Sequence, residues 1–568
     1  MNPYITVIMV TAGLILLFII WIVYEERKRR KRLLKKIRRT YGKPSERHYE
    51  PGDIENISHY FRRKCGEGFY IDDITWNDLD MDHLYQMVNQ TISSPGEDVL
   101  YAMMRMPLFR QEEIEEREKL IEFFSGHTEK REQIQLLLSK VGKTRLGSLS
   151  DTVLVLNESP KVSSGIHILM LVLLLACLGV VLPLRPLLGF FLFMVLCIAN
   201  IIIYYAGNDR KLVEAYLDCF AHLLGMLSAA DDMEAVKWPE IAKQMNGIRE
   251  GKAAFAGLRR KAVFLTGNGS DVGDILQSLL DYIRMVTHVD ILLYNRLLSE
   301  VQGKSDRIMQ LLDNIGELDA VISIASFREL LALQCRPEFL PYGGKEITLE
   351  AEDLYHPLLE QAVANSIRVS GGTLVTGSNA SGKSTFLKNM AMNSIMAQTI
   401  CTCTCARYRA PFLKVMTSMA LRDDLTGGES YFIVEIKSLK RILDESQKEQ
   451  PLLCIIDEVL RGTNTIERIA ASSRILAELS KKWVLPFAAT HDIELSYILD
   501  RIYTNYHFEE EVREDEVVFS YILKHGRASS RNAIRLLRML GYQEELVRRA
   551  GEAAEDFERT GVWKELKI

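Results

Sequence analysis

Several things are scarce in this chain. It has nine cysteines in 568 residues, too few for the disulfide framework of a small secreted protein, and Cys177 and Cys197 lie inside apolar runs; a reducing cytosol suits that usage. It has no excess of positive charge. The 70 Lys and Arg face 75 Asp and Glu, for a formal net charge of -5, which excludes a nucleic-acid binder working by bulk charge and leaves only local basic faces. There is no tandem repeat and no low-complexity segment, so a solenoid is excluded. Metal-ligand spacing is missing too. Cys401, Cys403 and Cys405 alternate in "CTCTC", which predicts three thiols on one face of a strand, but no second ligand pair stands at a suitable distance, and a buried strand face is expected.

Charge is also absent from two long runs. Ile5 to Tyr24 carries none, and Gly165 to Tyr205 carries only Arg185 in "PLRP". The first is long enough to cross a hydrocarbon core of about 30 Å as a helix. The second divides at the prolines into a helical hairpin, so three spans are expected. A buried core helix explains a run of about ten apolar residues but not runs of this length. These spans are read as carrying no acid or base that would mark a substrate path. After the first run comes "EERKRRKRLLKKIRR", a block that stays cytoplasmic under the positive-inside rule and also suits anionic headgroups. The N-terminus is then outside. "MNPY" has no basic residue, which points to an uncleaved anchor rather than a signal peptide. The expected location is the cell membrane, multi-pass, with residues 25–164 and 206–568 on the cytoplasmic side.

At this length two or more folded units are required. Residues 45–164 and 206–335 are rich in Leu, Glu, Lys, Gln and Met at helical spacing, and "DILQSLLDYIRMVTHVDILLYNRLLSEVQGKSDRIMQLL" predicts one long, lever-like helix. From about Lys345 short β-branched runs alternate with helical segments: "GTLVTG", "LLCIIDE", "WVLPFAATH". That alternation predicts an α/β domain. The expected class is therefore α plus α/β: three transmembrane helices, a helical core and lever, and a C-terminal P-loop domain.

The chemistry concentrates in "LVTGSNASGKST". Gly377, Gly382, Lys383 and Ser384 match GxxxxGK[ST] between a strand and a helix, with Asn379 inside the loop and Thr385 after it. Glycines expose successive backbone N–H groups to phosphate oxygens, and the helix N-terminus adds its dipole. Lys383 is placed for the β- and γ-phosphates of ATP, and Ser384 for Mg²⁺. "LLCIIDE" ends an apolar strand in Asp457 and Glu458, one carboxylate for the metal's water shell and one to polarise an attacking water. "FAATHD" is a third buried strand ending at a polar cluster, where His491 is placed to meet the γ-phosphate. Ser430 in "LTGGES" opens a helix and offers a second anion-binding surface. Since each chain's own loop already serves one nucleotide, that surface is expected to close over the nucleotide of a second copy, giving a homodimer with composite sites.

With these residues together, the C-terminal part resembles the ATPase domain of the MutS-type DNA mismatch repair proteins, within the ABC ATPase class. "DDLTGGES" is similar to the family's DDLxxGxS at Asp423, Asp424, Leu425, Gly428 and Ser430. "DEVLRGTNT" resembles DExxRGTST at Asp457, Glu458, Arg461, Gly462, Thr463 and Thr465, and "LYHP" with Asn365 resembles the stretch before the phosphate loop. Upstream, "IDDITWNDLD", "ELDAVISIASF" and "CRPEF" resemble the two ends of the family's helical core. Ser378 stands where the family usually has Pro, and Ala380 and Ser381 where it has Met-Gly; neither change removes a phosphate ligand.

The apolar runs and the resemblance together predict the organisation 1–24 anchor, 25–44 basic juxtamembrane segment, 45–164 first part of the core, 165–205 hairpin, 206–335 second part with lever, and 336–568 ATPase with closing dimerisation helices. The resemblance implies ATP hydrolysis with Mg²⁺ and DNA binding. Its mismatch-reading domain, with a Phe-x-Glu wedge, is expected to be missing: the core begins about seventy residues in, and the Phe-x-Glu spacings at Phe327 and Phe508 fall elsewhere. The alternative, from another class, is an ABC-type transport or membrane-remodelling ATPase acting on the hairpin without DNA. A scaffold that binds ATP without turnover is disfavoured by Glu458.

Overall fold

The computed structural model describes the chain except residues 1–2, 67, 144–147, 149, 152, 154–158, 207–208, 256–281, 379–380, 420–430, 461–462, 513–516, 529–533, 535–536, 539–540 and 566–568. The chain divides into two compact units that interleave in sequence. One comprises Met1–Gly66, Met87–Met103 and Arg117–Leu330; the other comprises Glu67–Gln86, Met104–Glu116 and Leu331–Ile568.

The described part of the first unit is helical. Its longest core helix, Ser305–Leu330, buries a stripe of Ile308, Leu311, Leu312, Ile315, Leu318 and Ile322, the spacing of one helix face. The expected single lever is not continuous. Among the described residues it breaks at His288, which is left-handed at φ 52°, and at Gly303, φ 77°, so that Val289–Val301 and Ser305–Leu330 are separate helices; residues 256–281 of that stretch lie outside the described set.

Asp319, on the Ser305–Leu330 helix, ties a distant segment to it. Its carboxylate accepts hydrogen bonds from the backbone N–H of Ile92 (3.0 Å) and Ser93 (2.8 Å) and from the Ser93 hydroxyl (2.5 Å). Ser93 Oγ in turn accepts the Gly96 N–H at 3.2 Å, at the start of the helix Ser94–Arg105. A buried carboxylate thus caps another helix through a serine. Burial pushes the Asp319 carboxyl up to about 6, against the Ser93 hydrogen bonds and the Lys143 charge that pull it down.

Two helices, Gly165–Leu184 and Pro186–Ala206, are the ones among the described residues long and apolar enough to cross a membrane. The chain leaves most of their surface uncovered: Leu187 is 91% and Phe191 69% exposed. This corrects the expectation of three spans to two. The first apolar run belongs to one uninterrupted helix, Pro3–Thr40, that continues through the basic block, and many of its side chains are outside the described set. His167, a titratable group of the hairpin, lies at its open end. His167 is buried with its Nδ1 2.9 Å from His288 Nδ1, His288 Nε2 lies 2.9 Å from the Asn200 carbonyl, and the Tyr204 hydroxyl donates to Asp290 at 2.6 Å. Burial lowers the His288 imidazole below its ordinary value.

The second unit is built on a six-stranded sheet. Its strands are β4 (Gly372–Thr376), β6 (Lys414–Ser418), β7 (Leu452–Asp457), β8 (Val484–Thr490), β9 (Tyr503–Val512) and β10 (Val517–His525), in the order β10-β9-β4-β8-β7-β6. All neighbours are parallel except β10 on β9. Every residue of β4, β7 and β8 is buried, which is why these strands read as continuous apolar runs. A second sheet has the order β1-β5-β2-β3, with β1 Glu338–Phe339, β2 Thr348–Leu354, β3 Asn365–Ser370 and β5 Arg407–Ala410.

The edge strand β6 is covered by a short helix, Asp73–Asp78, from the Glu67–Gln86 segment. Asp78 accepts from the Thr417 hydroxyl (2.6 Å) and the Met419 N–H (3.0 Å), and Arg441 bonds both Asp72 and the Thr417 carbonyl. Covering the edge removes a row of open backbone groups. The "CTCTC" stretch is not a regular strand: Cys401 is left-handed at φ 52°, and only Cys403 forms a β-bridge, to Cys335.

At Gly96 an added Cβ would stand 2.3 Å from Asp319 Oδ2 and 2.7 Å from its Cβ. Gly96→Ala is expected to destabilise the chain by about 1–3 kcal/mol, read as a lower thermal midpoint in detergent. Gly126→Ala, with open space around its Cβ, serves as the control and stays within about 0.5 kcal/mol. Equal midpoints for the two variants would refute the Asp319 cap.

Candidate functional site

The site lies at the carboxyl ends of three adjacent strands. In register, Thr376 of β4 pairs with Thr490 of β8, and Ala489 of β8 with Asp457 of β7. The three strands therefore end at nearly one level, and the segments that leave them converge, as open parallel sheets arrange their ligand crevices.

After β4 the chain turns through Gly377 and Gly382 into the helix Lys383–Thr399. Gly382 is at φ 103° with a Cβ position 3.1 Å from the Tyr521 ring, so both its conformation and its neighbour demand glycine. Lys383 is 4% exposed. Its Nζ donates to the Gly377 carbonyl (2.8 Å) and the Ser378 carbonyl (2.7 Å) and lies 3.4 Å from His491 Nε2. His491 Nε2 is in turn 2.7 Å from Glu458 Oε1. Glu458 follows β7 at φ 56°, with its N–H on the Ala489 carbonyl at 3.0 Å. That left-handed turn re-aims the carboxylate away from the path of the strand and toward His491.

The structure thus brings Gly377, Gly382, Lys383, Glu458 and His491 together, with Asp457 beside them at the end of β7. Ser384 and Thr385 open the helix and line the same cleft, of about 580 Å³. Asn379 and Ser430, with the rest of "DDLTGGES", lie outside the described residues. Arg461 and Gly462 do as well.

Three features were not read from the sequence. His356 and Tyr521 line the cleft. Burial, and then the Lys388 charge, push His356 down to about 4, and its Nδ1 accepts the Leu358 N–H at 3.3 Å; the ring is neutral. Tyr521 sits at φ 54° in an irregular stretch of β10 between Phe519 and Leu523. Asn365 holds that stretch, donating to the Tyr521 carbonyl (3.0 Å) and accepting the Leu523 N–H (2.7 Å). The third feature is a fork: Arg468 binds both oxygens of Asp492 at 2.8 and 2.6 Å, fixing the residue next to His491. The Asp492 in "THD" was the available signal, but its partner lies 24 residues earlier.

Arg468→Lys keeps the charge and loses the two-pronged geometry. The expected cost is about 1–3 kcal/mol, measured as a lower urea midpoint for the α/β unit. An unchanged midpoint would mean that Asp492 is held by something else.

Comparison with known proteins falls on the same segment. Residues 373–558 match the family described as MutS domain V. The chain is similar to the DNA mismatch repair protein MutS of Leptospira interrogans, 30% identical over 311 residues that cover 52% of this chain and 36% of that protein. It is similar to the MutS of Aquifex pyrophilus, 29% identical over 296 residues (50% and 34%), and to MutS protein homolog 4 of Mus musculus, 31% identical over 269 residues (44% and 27%). The chain spans about a third of the length of these curated relatives. Gly377, Gly382, Lys383, Ser384, Asp457, Glu458 and His491 thus lie inside a segment similar to MutS domain V, whereas His356 and Asn365 precede it.

Proposed function

We propose that this protein is a membrane-anchored, MutS-like ATPase that acts as a homodimer with composite nucleotide sites and binds DNA. The observation that carries the nucleotide part is the row Lys383, His491, Glu458 at the mouth of a glycine loop on a buried parallel strand. The residues present fit Mg²⁺·ATP. The Ser381 hydroxyl is buried with no hydrogen-bond partner among the described residues, and the Lys383 ammonium rests on two carbonyls of its own loop, a contact it can exchange for anionic oxygens.

When bound, Mg²⁺·ATP supplies the phosphoanhydride and the metal charge that steadies its oxygens. The chain supplies the rest. Lys383, the loop N–H groups and the N-terminus of the helix Lys383–Thr399 hold phosphate, and Ser384 and Asp457 serve the metal. Glu458 accepts the proton of the attacking water, with His491 holding its carboxylate in place. Neutral His356 and the Tyr521 ring offer apolar faces for the base. Ser430 and its glycines serve the nucleotide of the second copy. DNA binding rests on the names of the relatives, and membrane anchoring on the uncovered hairpin.

Lys383→Ala is expected to lose ATP binding, and Glu458→Gln to keep it while turnover falls about 10²–10⁴-fold and the dimer is trapped. Undiminished affinity in the first variant, or a monomer with ATP bound to the second, would refute the site or its composite form. For DNA, the detergent-solubilised chain should bind duplex with an affinity that falls steeply with salt. Matched duplex, mismatched duplex and single strand, each with and without ATP, separate the modes; no binding at low salt eliminates the DNA reading. One observation favours the second reading, membrane remodelling or transport: the buried polar contacts from His167, Asn200 and Tyr204 join the hairpin to the residues around the helix Val289–Val301. ATP-dependent protection of hairpin residues from a lipid-phase label, without DNA, would select it.

A further inference from the structure

One cluster in the α/β unit is unused by the nucleotide reading. Cys335 and Cys403 exchange both backbone N–H···O bonds at 3.0 Å, which draws Cys335 beside the loop after the helix Lys383–Thr399. Cys335 Sγ lies 3.5 Å from Cys405 Sγ. Cys403 and Cys405 are buried, whereas Cys335 keeps partial access to solvent. The loop is fixed rather than adaptable: the Thr404 N–H donates to Asn393 Oδ1 at 2.7 Å and its hydroxyl to the Tyr355 carbonyl at 2.7 Å. Cys403 Sγ is engaged with the Asn393 carbonyl at 3.7 Å, and Cys401 Sγ with the Ile114 carbonyl at 3.8 Å. Among the described residues no group of His, Cys, Asp and Glu is arranged to hold a metal ion, so thiol chemistry is what the cluster offers.

We propose that Cys335 and Cys405 form a reversible oxidation site for hydroperoxides, closing to an intramolecular disulfide. The Cys335 thiolate attacks a hydroperoxide oxygen; the O–O bond breaks, water or an alcohol leaves after taking up a proton, and Cys335 becomes a sulfenic acid. Cys405 Sγ then attacks that sulfur, the S–S bond forms, the S–O bond breaks, and the oxygen departs as water with the Cys405 proton. Two thiols have lost two electrons and one hydroperoxide has gained them. A dithiol reverses the step by exchange, closing to its own disulfide.

Hydrogen bonds from the Cys403 and Cys405 thiols lower the Cys335 thiol below its ordinary value, which favours the thiolate, the form that reacts, on the partly accessible member of the pair. The two sulfurs need to close from 3.5 Å to about 2.05 Å. The bond would span 70 positions in the chain and enclose β2, β3, β4 and the whole phosphate loop.

The test treats the full-length chain in detergent with hydrogen peroxide, blocks remaining thiols and digests it without reduction. A Cys335–Cys405 linked peptide is expected, lost on adding dithiothreitol. Cys335→Ser and Cys405→Ser each abolish it, whereas Cys65→Ser, in the other unit, keeps it. No linked peptide from the unsubstituted chain, or a link from Cys335 to Cys403 in its place, overturns the proposal.

Discussion

The candidate site depends on the register of three buried parallel strands. β4, β7 and β8 contribute almost no polar side chain to the cleft except where they end, and they end level: Thr376 with Thr490, Asp457 with Ala489. A slip of one residue in any strand would invert every side chain along it and carry Glu458 or His491 away from Lys383. That register is specified by apolar burial on both faces. Leu374, Ile456 and Ala488 belong to one core with the flanking helices, and each large side chain buried there contributes about 1.5–3 kcal/mol. The geometry of the candidate site is in this sense a by-product of hydrophobic packing remote from it.

The same dependence explains what the sequence discloses. The phosphate loop and the acidic strand end are legible because their residues are contiguous and each comes directly after its own apolar run. The sheet is legible for the same reason, since strands buried on both faces leave an uninterrupted apolar signature. Tyr521 and Arg468 are not legible, and Asn365 is legible only as part of a resemblance, because their roles arise only across long sequence distances. Asn365 acts on a stretch of β10 more than 150 residues away, and Tyr521 has meaning only once that stretch lies against Gly382. The long lever misled for a local reason. "VQGKSD" preserves enough helical composition to read through, yet Gly303 takes a positive φ and the helix stops. "CTCTC" misled in the opposite direction, because alternation alone cannot say that the backbone departs from β geometry at Cys401. The interleaving of residues 67–86 and 104–116 with the α/β unit left no trace in composition, being a matter of which helix covers an edge strand.

In the helical unit a single carboxylate performs a comparable organising task. Asp319 gathers two backbone N–H groups and one hydroxyl, and the close crossing there requires Gly96 and also Gly316, whose added Cβ would meet the Pro95 carbonyl at 2.4 Å. Burying a carboxylate is costly unless it is hydrogen-bonded. Here the compensation comes from the two N–H groups and the hydroxyl just before a helix start, while the Ser93 oxygen caps the first turn.

The hairpin distributes its polar groups by position. Its two helices hold 20 and 21 residues, which at about 1.5 Å per residue reach about 30 Å, the thickness of a bilayer core. Leu187, Leu188, Phe190 and Phe191 of the second helix are 60% exposed or more and Leu169, Val172 and Leu175 of the first more than half, an apolar surface that water would not tolerate uncovered. The polar groups are distributed unevenly: His167 is the third residue of the first helix, and Asn200 and Tyr204 fall in the last two turns of the second. They sit at the open end, away from the Arg185 turn, where His167 and Tyr204 meet His288 and Asp290 and the Asn200 backbone carbonyl lies 2.9 Å from His288 Nε2. A helical pair that is apolar along its length and polar only where it joins the folded unit matches a lipid environment with one interface at that junction. On the proposed membrane anchoring, confining the polar contacts to one end is what a bilayer demands, because unsatisfied polar groups within it cost several kcal/mol each.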